Sequence, residues 1–254
     1  MHITYEMFGL LFLGGLCAGF VDSIAGGGGL IALPVILSLG LPTPLALGTN
    51  KLQGSFGTAS ASYNYFRKGN IRFQECYVGI IFTLVGAAIG TWTIQQLDPE
   101  FLTYIIPVLL LVIFIHTLFS PKLGYVEQAP KMSPNFFFTV FGLILGFYDG
   151  FFGPGTGAFW IAALLVLGGF NMTKAVGLTR IMNFISNIVA LCLFAMGGNI
   201  LYSAGLCMAL GQIVGAHLGS NLAMRRGAHF IRPIFLIVVF FTLLKILYTT
   251  LTSL

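Results

Sequence analysis

Charged side chains are scarce in this sequence. Lys and Arg number 12 and Asp and Glu 7 in 254 residues, 7% of the chain, against 57% hydrophobic residues and a mean hydropathy of +0.96. A soluble domain carries about 25% charged residues, so the polar surface here is too small to cover a water-soluble particle. Cysteines are also few: Cys17, Cys76, Cys192 and Cys207 form no CxxC pair and lie within or beside apolar runs, as small packing residues do. No GxxxxGK[ST] loop is present, which excludes transport driven by this chain's own ATP hydrolysis. Ser23 lacks a GxSxG context, no catalytic grouping can be named, and an enzyme is not expected. The first apolar run has neither a basic flank nor an A-x-A-like cleavage site, so it reads as a retained membrane helix.

What the chain does have is apolar runs near the roughly 20 residues needed to cross a bilayer. Ten segments can be drawn, 7–21, 30–39, 45–66, 73–95 and 101–119 in the first half and 136–152, 158–168, 175–196, 200–223 and 230–250 in the second. The second and seventh are too short to cross at about 1.5 Å per residue and read as half-helices or second legs of broken helices. The alternating runs of about 10 residues that mark a transmembrane barrel are not seen. The expected fold is an all-α polytopic membrane protein.

The two halves repeat. Gly19-Phe-Val-Asp22 matches Gly146-Phe-Tyr-Asp149, and Gly26 and Gly28 match Gly153 and Gly155. Ala46 and Gly48 match Ala175 and Gly177, Lys51 matches Arg180, Gly69-Asn-Ile71 matches Gly198-Asn-Ile200, and Gly86-Ala-Ala-Ile-Gly90 matches Gly215-Ala-His-Leu-Gly219, all at one offset. The expected organisation is a first transmembrane repeat at 1–120, a cytoplasmic linker at 121–133 and a second repeat at 134–254.

Loop charges orient the repeats. Arg67, Lys68 and Arg72 put the loop after the third segment in the cytoplasm, Asp98 to Glu100 suits the outside, and the Lys122 to Lys131 linker returns inside. In the second half the loop equivalent to Arg67–Arg72 is uncharged, and the next one carries Arg225, Arg226 and Arg232. Equivalent loops therefore fall on opposite sides, which makes the repeats inverted, the architecture of many secondary transporters. On this count the chain is a multi-pass protein of the cell (inner) membrane with both termini extracytoplasmic. The clustering of basic residues in short loops explains the net charge of +5 without nucleic acid. The expected partners are a small anionic solute and the lipid bilayer. Oligomeric state is left open, a homodimer included.

The candidate binding residues gather at the glycine breaks and the intramembrane charges. Gly26, Gly27, Gly28 and Gly29 lead into the second segment, and Gly153, Gly155 and the hydroxyl-bearing Thr156 into the seventh. Non-helical backbone at membrane depth is tolerated only where protein buries it or it lines a watery cavity. A helix starting there aims free N–H groups and about half a positive charge at the break, which suits an anion. Tight turns or close helix packing would use the same glycines. Asp22, Lys51, Asp149 and Arg180 each cost about 2.5–3.5 kcal/mol at a helix centre. One reading pairs Asp22 with Lys51 and Asp149 with Arg180 as structural ion pairs. The other has Lys51 and Arg180 offset a bound anion while the aspartates carry protons or steady the bases. Around them Thr49, Asn50 and Gln53 flank Lys51, and Thr179, Asn183 and Asn187 surround Arg180, with 180, 183 and 187 on one helix face. These side chains coordinate a solute or bond neighbouring helices. His116 and His229 read as interfacial, His217 as a packed or hydrogen-bonded histidine, and Lys245 as snorkelling. No metal site and no cofactor is expected.

Two inverted halves, each with Gly-Phe-x-Asp before a glycine break, resemble the sulfite exporter TauE/SafE family. The first half carries most of the likeness in Gly26-Gly-Gly-Gly-Leu-Ile-Ala-Leu-Pro34, Ala46-Leu-Gly-Thr-Asn50 and Gly69-Asn-Ile71. The resemblance covers nearly the whole chain and implies transport of a small sulfur-containing anion, such as sulfite, sulfoacetate or another organosulfonate. In the second half Gly177-Leu-Thr179 and Arg180 depart from that pattern, so the two half-sites are not equivalent.

Overall fold

The computed structural model describes residues 5–96, 126–234, 236, 237 and 240. The fifth apolar segment, most of the tenth, His116 and Lys245 lie outside them. Eight α-helices carry the described fold: α1 Tyr5–Ala25, α2 Gly28–Leu37, α3 Thr43–Arg67, α4 Tyr77–Ile94, α5 Pro134–Phe151, α6 Thr156–Val166, α7 Met172–Met196 and α8 Tyr202–Arg226. No strand occurs among the described residues. By length and apolar composition α1, α4 and α7 are each able to cross a membrane. At 1.5 Å per residue, α2 with 10 residues and α6 with 11 are only about half as long as a bilayer core is thick.

Local chemistry sets the helix ends. Pro134 opens α5 at a position whose N–H is not needed, and Asn171 caps α7 by accepting from the Lys174 N–H at 2.9 Å. The repeated Gly-Asn-Ile closes α3 and α7 in the same way. Gly69 (φ +73°) donates to Phe66 O at 2.9 Å and Asn70 to Tyr65 O at 3.1 Å; Gly198 (φ +70°) donates to Ala195 O at 3.1 Å and Asn199 to Phe194 O at 2.9 Å. Each is a Schellman stop needing a left-handed residue. A Cβ on Gly198 would meet nothing within 4 Å. Gly198→Ala is therefore expected to cost only the backbone strain, about 1–2 kcal/mol, read as a small drop in melting temperature with transport retained.

Packing follows the repeat. The most extensive helix pairings are α1 with α8 and α4 with α5, which exchange when each helix is replaced by its equivalent in the other half. Small residues permit both. A Cβ on Gly211 or Gly215 would strike α1 backbone at Phe12 or Leu16, and one on Gly86 or Gly90 would strike α5 backbone at Leu143 or Phe147. In a membrane, where apolar surface gains little by association, such backbone approach is what holds helices together. Between these pairs pass α3 and α7. The Leu201 N–H just after α7 donates to Thr49 Oγ1 near the start of α3 at 2.9 Å, while Gly177 near the start of α7 packs on Tyr65 and Ile71 at the far end of α3. The two helices run antiparallel.

Two sequence expectations change. His217 is exposed on the outer face of α8, between exposed Val214 and Leu218, rather than packed. Of the free cysteines, Cys76 is buried, but Cys17 and Cys192 are exposed on the helix surfaces.

Candidate functional site

The two glycine breaks meet. Gly26 takes a left-handed conformation (φ +83°) just after α1, and Gly153 (φ +98°) and Gly155 (φ +87°) do so between α5 and α6. A Cβ on Gly26 would lie 2.7 Å from Gly157 Cα, and one on Gly157 would lie 2.6 Å from Gly26 Cα. Backbone therefore rests on backbone where the halves touch, a contact only glycine permits.

Beside that contact sit the four intramembrane charges, paired across the halves rather than within them. Lys51 Nζ lies 2.7 Å from Asp149 Oδ1 and also donates to the Asp149 carbonyl. Arg180 Nη1 lies 2.5 Å from Asp22 Oδ2. The expected pairs, Asp22 with Lys51 and Asp149 with Arg180, are thus replaced by crossed ones. The reason is geometric: each aspartate ends the helix before its break, and the breaks face each other, so the nearest base belongs to the other repeat.

The two carboxylates are otherwise held differently. Asp22 Oδ1 accepts the Gly28 N–H at 3.0 Å, so the positive end of α2 already has an anion from its own chain. Asp149 Oδ2 accepts from Ser186 Oγ on α7 and makes no such bond to α6. Arg180, fully buried, uses Nη1 on Asp22 while its Nε and Nη2 have no partner among the described residues. A Cβ on Gly157, in the first turn of α6, would lie 2.8 Å from that Nη2. The second break thus has a helix start and two unused guanidinium donors together.

A small polar cavity of about 40 Å³ opens beside the charges. Of the candidate residues, Asp22, Gly26, Gly29, Asn50, Lys51 and Gln53 line it from the first half, and Asp149, Gly153, Gly155, Asn183 and Asn187 from the second. Gly27, Gly28, Thr49, Thr156, Thr179 and Arg180 do not. Thr49 donates to Leu45 O and accepts from Leu201, Thr179 donates to Ala175 O, and Thr156 donates to Gly153 O within the break. Gly157, the last glycine of the second break, lines the cavity as well, and three lining residues escaped the sequence reading: Gly54, Thr58 and Gln212. Lys51, Gly54 and Thr58 have the same i, i+3, i+7 spacing that singled out Arg180, Asn183 and Asn187, so the repeat itself held the signal. Gln212 was marked by being an amide within an apolar helix. Among the described residues no cluster of three or more His, Cys, Asp or Glu side chains stands ready for a metal.

The sequence profile described as sulfite exporter TauE/SafE matches residues 11–246. The chain belongs to that family. It is a membrane transporter, in keeping with its apolar helices and its relatives. It is similar to a probable membrane transporter protein of Haemophilus influenzae, 41% identical over 248 residues covering 98% of this chain and 97% of that protein. A probable membrane transporter protein of Sinorhizobium is 39% identical, covering 93% of this chain and 90% of the other, and YfcA of Escherichia coli, of the same description, is 38% identical over 95% and 90%. The lining residues of this TauE/SafE transporter come from both sides of its repeat, so a relative movement of the halves would rebuild the cavity walls.

Proposed function

We propose that this transporter is a secondary exporter of a small sulfur-containing anion, such as sulfite or an organosulfonate, working by alternating access at a site formed by both repeats. The observation that carries the reading is the junction of the two breaks, where Asp22, Lys51 and Asp149 of the crossed ion pairs line a polar cavity and Arg180, outside that lining, keeps two buried donors unused. A planar guanidinium holds oxyanions well, and a helix start adds to its field. The antiparallel run of the equivalent helices α3 and α7 supports inverted repeats, as does the exchange of helix pairings. In such transporters one repeat rocks against the other around a midplane site. The direction of transport is taken from the family's description alone. We place the protein in the cell (inner) membrane with extracytoplasmic termini, from the loop charges.

In this mechanism an arriving anion takes the place of a carboxylate at Lys51 or Arg180, and the released aspartate gains a proton or a new partner. Such an exchange keeps the buried charges compensated, which a bare departure would not. If Asp22→Asn and Asp149→Asn both leave pH-dependent transport unchanged, the proton step is absent.

The test is thermal stabilisation of the purified protein by sulfite, sulfate, sulfoacetate, taurine and chloride, in the wild type and in Lys51→Ala and Arg180→Ala. A ligand that binds only the folded form adds about 2.7 kcal/mol at a hundred times its dissociation constant. We expect a shift with a sulfur oxyanion that both substitutions abolish. Identical melting of wild type and variants with every anion would favour the second reading, a channel-like or structural protein, since all four charges do find partners among themselves.

A further inference from the structure

The two glycine breaks are equivalent in sequence but not in conformation. In the first, α2 begins at Gly28, whose N–H donates to Asp22 Oδ1 at 3.0 Å. In the second, the counterpart Gly155 stays outside α6 at φ +87°, and α6 begins one residue later at Thr156. The Gly155 N–H makes no hydrogen bond among the described residues. Asp149, the counterpart of Asp22, accepts from Lys51 and Ser186 instead. One repeat thus has a carboxylate capping its short helix, and the other does not.

Glycine is needed at the two positions for different reasons. At 28 a Cβ would lie 2.5 Å from Asp22 Cβ, although the backbone there is not left-handed. At 155 a Cβ would meet nothing within 4 Å, and only the left-handed backbone excludes most side chains. A fixed structure would therefore accept asparagine at 155, since that residue tolerates the left-handed region. A position that adopts both conformations in turn accepts glycine alone. The left-handed form bars most side chains, and the capped form leaves no room for a Cβ.

We infer that Gly28 and Gly155 are positioning residues of the transport cycle, each passing between the capped and the left-handed conformation as the two repeats exchange shapes. In the second state Gly155 joins α6 and its N–H donates to Asp149, while Gly28 leaves α2 and releases Asp22. Where inverted repeats differ in conformation, exchanging the difference turns the site toward the other side of the membrane. The exchange gives the Asp149 carboxylate a backbone donor and the positive end of α6 as its hold on Lys51 loosens. In the same step it frees one oxygen of Asp22. This rests on the alternating-access reading proposed above and is independent of which solute is carried.

Pro154-Gly155 is the only Pro-Gly pair in the sequence. Proline labelled with carbon-13 at the carbonyl, combined with nitrogen-15 glycine, therefore gives one NMR amide signal, that of Gly155, from the purified full-length protein. In the wild type we expect two such signals, or one broadened by exchange, with the hydrogen-bonded form downfield. Gly28→Asn, whose Cβ would press on Asp22, is expected to drive the Gly155 signal to the hydrogen-bonded form, although it lies in the other repeat. Gly155→Asn suits the left-handed form and is expected to melt near the wild type. It is nevertheless expected to exchange solute in proteoliposomes at least about tenfold more slowly, because its capped form is overpacked. A single sharp Gly155 signal in the wild type, the same with and without sulfite, overturns the inference, even where Gly28→Asn fails to fold. Solute exchange by Gly155→Asn at the wild-type rate overturns it as well. If the wild type exchanges no sulfite, the anion reading falls, and the Gly155 signal still decides this inference.

Discussion

Asp149→Ala is expected to destabilise the purified transporter by about 3–5 kcal/mol, the cost of stranding one partner of a buried ion pair. The Lys51 ammonium is 2% exposed and donates to both a carboxylate oxygen and the backbone carbonyl of Asp149. Removing the carboxylate leaves that charge with one neutral acceptor inside a membrane protein. Lys51→Ala is expected to cost less, because Ser186 still donates to the Asp149 carboxylate. The double variant Lys51→Ala/Asp149→Ala is expected to regain much of the loss, since no buried charge is then uncompensated, but not to transport. A double-mutant cycle across Lys51 and Asp149 therefore shows strong coupling. The cycle across Lys51 and Asp22, of the same repeat, which share the cavity but no ion pair, is expected to show weaker coupling. Denaturant unfolding in detergent gives all four corners. Strong coupling between Lys51 and Asp22 instead would mean that the pairs are not crossed.

Gly157→Ala carries the second large effect. Its Cβ would lie 2.6 Å from Gly26 Cα, 2.7 Å from Gly26 O and 2.8 Å from Arg180 Nη2. Two of these are backbone atoms of the opposite break, so no side-chain rotation relieves the clash. Overpacking of this kind costs about 1–3 kcal/mol, and here it also pushes apart the two halves where the site is built. We expect a clear loss of thermal stability and near-complete loss of solute exchange in proteoliposomes. Two controls separate crowding from loss of a glycine. Gly9→Ala on α1 meets nothing within 4 Å and is expected to be neutral or stabilising, as alanine is the better helix former. Gly155→Ala also meets nothing but sits at φ +87°, so it incurs strain without collision. Behaviour of Gly157→Ala indistinguishable from Gly9→Ala would show that the breaks do not touch.

Much of this molecule was readable before its coordinates, for reasons specific to membranes. A bilayer imposes long apolar runs and makes each internal charge expensive. Asp22, Lys51, Asp149 and Arg180 therefore stood out against their surroundings without any tertiary information. The repeat was legible because its constraints are local: Gly69 and Gly198 each need a left-handed conformation to stop a helix, and Gly86, Gly90, Gly215 and Gly219 each need room for a neighbouring backbone. Such demands restrict residue type at a given position, so they survive in both copies. The short α2 and α6 were likewise readable from the distance between a glycine break and the next turn.

Other features depended on which element lies opposite, and no spacing along the chain encodes that. Thr49 and Thr179 flank the bases in sequence, yet their hydroxyls serve α3 and α7 themselves or the chain after α7. Gln212 lies far from either break in sequence and reaches the cavity because α8 packs along α1.

By itself, then, the sequence determined a helical membrane protein, its two-fold repetition, its two breaks and its four costly charges, because hydropathy, backbone conformation and charge are properties of single residues and their near neighbours. Tertiary packing set the rest: the charges pair across the repeats, and Asp22 occupies the start of α2 while the start of α6 lies beside unused Arg180 donors. Those outcomes depend on distances of a few ångströms between helices remote in the chain, where hydrogen bonds and ion pairs are made or missed.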